Sequence, residues 1–204
     1  MISARILLIG VLLFSGILLP QFLGLLTAGY DARTDYISEL GATGAPYAAV
    51  MNYVGFLPAG LAIMVAIELL WRSLAPSRMT RLGLVCLSGV AIGYLVAFLF
   101  PCDVGCPVQG STKQMLHNAG GLIEYLGGVI GLFLLYFGSR GADHSGLSRA
   151  TMIAAYVSAF GVIVLFSGGL EDVLGAAQRL VDYSFFAWFA YAVYTTRSSE
   201  RHEN

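Results

Sequence analysis

The chain has 204 residues, of which 57% are hydrophobic and only 11% charged. A soluble globular domain carries about 25% charged residues, so this composition needs lipid as a solvent and excludes an ordinary water-soluble domain. A formal net charge of −1 without a basic stripe excludes a nucleic-acid footprint.

Six apolar stretches approach membrane-spanning length, at residues 4–26, 48–71, 82–100, 117–138, 150–169 and 179–196. A helix needs about 20 such residues to cross the hydrocarbon core. The last two are short for that and imply tilt or a thin region. Transmembrane β-strands would alternate over about ten residues, whereas these runs are apolar all round. The sequence therefore predicts one all-α integral membrane domain over 1–204, a six-helix transmembrane bundle.

The first stretch follows a weakly basic start and could pass for a signal peptide. Its apolar run continues to Leu26, and Ala28-Gly29 is a poor cleavage site, so a retained helix is expected. The next segment, 27–47, reads TAGYDARTDYISELGATGAPY. Asp31 suits the start of a short helix and Gly41 its end. Tyr36, Ile37 and Leu40 give that helix an apolar face, to lie along the interface or to cover the bundle mouth. In the second stretch, Pro58 is expected to kink the helix and free a carbonyl, and Glu68 to pair with Arg72 four residues on.

Cys102 and Cys106 follow the third stretch, in Pro101-Cys-Asp-Val-Gly-Cys-Pro107. Gly105 allows a tight turn between them. A structural disulfide is expected if the pair faces an oxidising compartment. Metal binding by these thiols is not expected, because a four-ligand site needs partners the chain scarcely offers. Cys86 reads as a small buried side chain.

The fourth stretch opens on His117 and Asn118 and carries Glu124 two turns below. Asp103, at the end of the third, is placed to meet His117 across the mouth. Ser38 of the first loop would complete a nucleophile, base and orienting acid. No Gly-x-Ser-x-Gly elbow supports that trio, and a hydrogen-bonded mouth is the competing reading. Glu124 is a carboxylate inside a span without a basic neighbour, which is a functional clue by default. Asp182, in the sixth stretch, lies three residues after Arg179, a spacing that permits pairing.

Basic residues orient the bundle. With the N-terminus inside, Arg5, Arg72, Arg78, Arg81, Arg140, Arg149, Arg197 and Arg201 are cytoplasmic, against Arg33, Lys113 and Arg179 outside. The positive-inside rule then places both termini in the cytoplasm, and the protein in the inner (cytoplasmic) membrane. His117 is the one histidine near a span, the others being His144 and His202. Bis-imidazole haem and three-histidine zinc are therefore not expected. The single lysine, Lys113, lies in a loop, which removes a retinal Schiff base within the bundle. No cofactor is expected.

The segment Tyr-Asp-Ala-Arg-Thr-Asp-Tyr-Ile-Ser-Glu-Leu-Gly at 30–41 resembles the opening signature of the multi-helical membrane family catalogued as domain of unknown function 998. The resemblance continues through Ala45-Pro46, Asn52-Tyr-Val-Gly55, Phe100-Pro-Cys-Asp103, Gly105-Cys-Pro107 and His117-Asn118-Ala-Gly120. It implies a multi-helical membrane fold and a shared outer signature containing Ser38, Glu39, Asp103, His117 and Asn118. It implies no activity.

These readings lead to an outward-facing polar pocket lined by Glu39, Asn52, Asn118 and Glu124, with Asp103 and His117, and with Asp182 near it. Its expected ligand is a lipid head group or small amphiphile, with membrane lipids as the surrounding partners. The alternatives are a membrane hydrolase or transferase using His117 and Asp103, a proton-coupled small-solute transporter using Glu124 and Asp182, and a structural or assembly protein. Gly121, Gly127, Gly128 and Gly131 suit packing inside the bundle or between copies of the chain, so a homo-oligomer is compatible with the sequence.

Overall fold

The computed structural model describes residues 4–74, 77–138 and 145–199. Arg140, His144, Arg201 and His202, used above for orientation and for counting ligands, lie outside the described residues, as does the side chain of Arg197.

Among the described residues, six long helices carry the chain: α1 (Ala4–Leu26), α2 (Ala48–Ser73), α3 (Arg78–Leu99), α4 (Thr112–Gly138), α5 (Ser145–Phe166) and α6 (Leu174–Ser199). Each predicted stretch falls on one of them. The first five are long and apolar enough to cross a membrane, and the protein is an all-α, multi-pass integral membrane protein. α6 is long enough but more polar, because it begins five residues earlier than expected and takes in Gln178 along with Arg179 and Asp182.

Successive helices pack side by side, and α6 closes the ring against α1 while also touching α2. This explains how α6 tolerates its polar residues. Phe185, Phe186, Phe189 and Trp188 fill the bundle core, and Gln178, Arg179 and Asp182 are buried with them instead of facing lipid. Tyr191 and Tyr194 stay on the outside.

Glycine sets the closest contacts. A Cβ at Gly127 would lie 2.6 Å from the Cys86 carbonyl oxygen, and one at Gly131 would lie 2.7 Å from that of Gly83. The α3 and α4 backbones therefore touch directly, as small residues permit in membrane bundles. Gly128 receives the Phe185 ring of α6. Of the glycines suited to packing, these three lie inside the bundle, while Gly121 borders a cavity.

Two helices widen locally to π-turns, at Phe14–Leu18 in α1 and Met51–Phe56 in α2. Each widening precedes a proline, Pro20 or Pro58, which lacks the N–H that an α-helical ladder requires. The Val54 carbonyl gets no bond from Pro58 and accepts the Ser15 hydroxyl at 2.8 Å. The expected freed carbonyl thus ties α1 to α2.

Segments 27–47, 100–111 and 167–173 gather at one end of the bundle. The Thr43 N–H bonds the Cys102 carbonyl at 2.9 Å, and the Gly175 and Ala176 N–H groups bond Thr34 and Arg33 carbonyls at 3.1 and 2.9 Å. The first-turn amides of α6, which have no partner within their own helix, are satisfied by the first loop.

Candidate functional site

The first loop covers the mouth. A short 3₁₀ turn, Ile37–Gly41, pushes Ile37 and Leu40 into the core, with 1% and 2% of their surface exposed. Asp31 acts one turn earlier than expected, accepting the Arg33 N–H at 2.9 Å, and Glu39 holds the turn by accepting the Tyr36 N–H at 2.9 Å. Three residues of the bundle clamp this loop from below. Gln178 Oε1 accepts the Ile37 N–H at 2.6 Å, and Asn52 Nδ2 donates to the Gly41 carbonyl at 2.9 Å. Arg179 Nη1 donates to the carbonyls of Ala32 and Asp35 at 2.8 Å each, and to that of Gly175 at 2.9 Å. Its Nη2 bonds the Tyr30 hydroxyl. Burial pushes Tyr30 up to about 12, so its hydroxyl keeps the proton that it donates to the Tyr36 carbonyl at 2.9 Å.

Arg179 therefore spends its guanidinium on loop carbonyls, and the expected Arg179–Asp182 pairing is replaced by these bonds. The Glu68–Arg72 pair does form, with Arg72 Nε donating to Glu68 Oε1 at 2.7 Å.

Under the covering loop lies a cavity of about 40 Å³, with Ser38, His117, Glu124 and Asp182 in its wall beside Tyr94 and Tyr125. A water needs about 10–15 Å³ of such space, so this volume holds about three. Glu124 is 6% exposed and Asp182 2%. Among the described residues, Glu124 Oε1 and Asp182 Oδ1 are buried without a hydrogen-bond partner, and both residues line this one cavity. The absent side chain of Gly93 makes the room, since a Cβ there would collide with the Glu124 carboxylate. Gln178 Nε2 donates to the Tyr125 hydroxyl at 2.9 Å, fixing one tyrosine of the wall.

Asp103, Asn118 and the cysteines lie outside this cavity, and His117 reaches its wall from the side of the cysteine loop. Asp103 faces out of the bundle, and its two carboxylate oxygens accept the Ser111 N–H and hydroxyl at 2.8 Å each. Those bonds hold its carboxyl below the ordinary aspartate value. Ser111 in turn caps α4 by accepting the Gln114 N–H at 3.2 Å. His117 Nδ1 pairs with the Phe100 carbonyl at 3.0 Å, at the end of α3 where helical carbonyls lack partners. The Ser38–His117–Asp103 relay is not assembled. Asn118 ties the cysteine loop down, its Nδ2 donating to the carbonyls of Pro107 and Val108 at 3.2 and 2.9 Å while its Oδ1 accepts from Gln114. Cys102 and Cys106 form a disulfide, with Cα atoms 5.1 Å apart. Gly105 turns the loop at φ 74°.

Glu39 borders a separate, wider groove of about 300 Å³ between the first loop and the cysteine loop, beside Tyr30 and Asp35. Burial pushes Glu39 above the ordinary carboxylate value, and the Asp35 charge adds to that, while the Tyr36 N–H opposes it.

The sequence reading missed Tyr94, Gln178 and the clamping role of Arg179. One signal was present: Gln178 and Asp182 stand four apart, on one helix face, just before the aromatic run of α6.

A covered, multi-helical membrane bundle with acids buried at one end is the class defined by this geometry. The chain matches the family model described as protein of unknown function (DUF998) over residues 8–194, and it belongs to that family. No curated protein and no solved structure shows significant similarity to it.

Proposed function

We propose that this protein is a proton-coupled carrier of a small solute, with six crossings, both termini in the cytoplasm and the covered mouth facing outward. The observation that carries the reading is the pair of buried carboxyl groups, Glu124 and Asp182, each with an unpartnered oxygen at one water-sized cavity. Two carboxyl groups without a salt-bridge partner are costly to ionise together in a low-dielectric bundle. Uptake of a proton at this cavity offsets that cost, and its exchange with water is the natural coupling step. Arg33, Lys113 and Arg179 belong to the side of the mouth, against eight arginines assigned to the other side from the sequence, which supports the orientation.

The test is flux in liposomes. Small cationic and zwitterionic solutes are offered across an imposed pH gradient to the wild type and to Glu124→Gln. Uptake that follows the gradient and disappears in Glu124→Gln is the expected result. Uptake independent of pH, or equal in the variant, removes the reading.

A second reading has its own support. The cavity is too small for a lipid head group, but the outer groove is not, and Asp35 and Glu39 with Tyr30 suit a cationic or zwitterionic amphiphile there. Mass spectrometry of lipid co-purified with the wild type, and lost with Glu39→Gln, tests it.

A further inference from the structure

The disulfide and His117 occupy a single small volume. One ligand atom from each of Cys102, Cys106 and His117 lies within 4.8 Å of the other two. Cys102 is buried, and the other two are half-buried. Zinc–sulfur and zinc–nitrogen bonds of about 2.3 and 2.0 Å set tetrahedral ligand atoms roughly 3.5 Å apart. The bonded sulfurs stand closer than that, so the bridge has to open before the two cysteines and His117 can take up this spacing.

The imidazole is also prepared. Its Nδ1 faces the Phe100 carbonyl at 3.0 Å. A carbonyl oxygen only accepts, so Nδ1 carries the proton and Nε2 keeps its lone pair. A ring N–H bonded to a backbone carbonyl is the arrangement that orients and fixes the tautomer of metal-binding histidines.

We propose that reduction of the Cys102–Cys106 bridge opens a two-cysteine, one-histidine site for a thiophilic divalent cation of the zinc class, and that reoxidation closes it. A dithiol protein of the thiol-exchange class supplies two electrons and two protons to the bridge. Both sulfurs become thiols, and the donor becomes a disulfide. Binding of the cation displaces the two thiol protons into water. Two thiolates, one neutral imidazole and one dication sum to zero charge, which suits a half-buried position. Water fills the fourth position. The cysteines alone supply only two ligands, and the folded chain brings the third from α4. This site does not depend on the carboxyl pair or on transport.

The test uses the full chain in lipid discs, in a Cys86→Ser background that leaves two thiols. Protein is reduced with a dithiol, freed of it without air, and titrated with Co²⁺. The expected result is one equivalent bound with thiolate-to-cobalt charge-transfer absorption, displaced by Zn²⁺ and absent from the oxidised protein. His117→Ala and His117→Gln, with helix content checked by circular dichroism, should weaken binding at least tenfold. No such absorption in reduced protein, equal absorption in oxidised protein, or unchanged affinity in a folded His117 variant overturns the proposal. The oxidised-against-reduced comparison needs no histidine variant, so it stands even if those variants fail to fold.

Discussion

The side-chain carbonyl of Gln178 accepts the main-chain N–H of Ile37 at 2.6 Å, while the amide of the same residue donates to Tyr125. One glutamine therefore couples the covering loop to the wall of the cavity. Gln178→Leu keeps the volume but leaves a buried N–H without an acceptor. That costs about 1–3 kcal/mol. Hydrogen exchange should show the Ile37 amide and its neighbours exchanging faster in the variant, with α3 and α4 unchanged.

The seam between α3 and α4 predicts a different failure. Gly127→Ala places a methyl 2.6 Å from the Cys86 carbonyl oxygen, which belongs to a helix backbone and cannot rotate away. Overpacking of this kind costs about 1–3 kcal/mol. Thermal unfolding in detergent should show a lower melting temperature, while Gly10→Ala, with nothing within 4 Å of the new methyl, should be close to neutral.

Acid should loosen the cysteine loop through Asp103. Its carboxylate is stabilised in the fold by the Ser111 N–H and hydroxyl, so its folded pKa lies below the ordinary value of 3.8. Protonation is thus harder in the folded state. The stabilisation is present above that ordinary value and is lost as pH falls through the folded one. Melting temperatures measured from about pH 6 to about pH 3 should fall less steeply for Asp103→Asn than for the wild type.

Glu124 and Asp182 should behave as one unit. If they share a proton, Glu124→Gln and Asp182→Asn each relieve the same repulsion, and the double variant gains less than the sum. Contacting pairs show coupling of about 0.5–3 kcal/mol. A double-mutant cycle by thermal unfolding near neutral pH measures this directly, and additivity would separate the two groups.

Much of the architecture was legible because the spans are long and apolar, and lipid leaves a helix no alternative. The helix ends were less so. The fourth span was expected to open at His117, yet α4 begins at Thr112, because Ser111 caps it and Asp103 holds Ser111. That extra turn sets His117 beneath Phe100 and beside the cysteines, away from the Asp103 carboxylate. The isolation of Glu124 in an apolar run was visible, but its proximity to Asp182 was not. That depends on α6 packing into the ring, which brings two residues 58 positions apart in sequence to one cavity. Arg179 misled for a related reason. Its neighbour in sequence is an acid, but the carbonyls of a loop about 145 residues away offer better geometry.

Main chains pressed together across Gly83, Gly89, Gly127 and Gly131 leave α3 and α4 no freedom to slide past each other. Tyr94 and Glu124 ride on that locked pair, whereas Asp182 belongs to a helix that bonds the covering loop through Gln178 and Arg179. For a carrier of the kind proposed, the covering loop and the outer end of α6 are the parts left to move against that stationary pair.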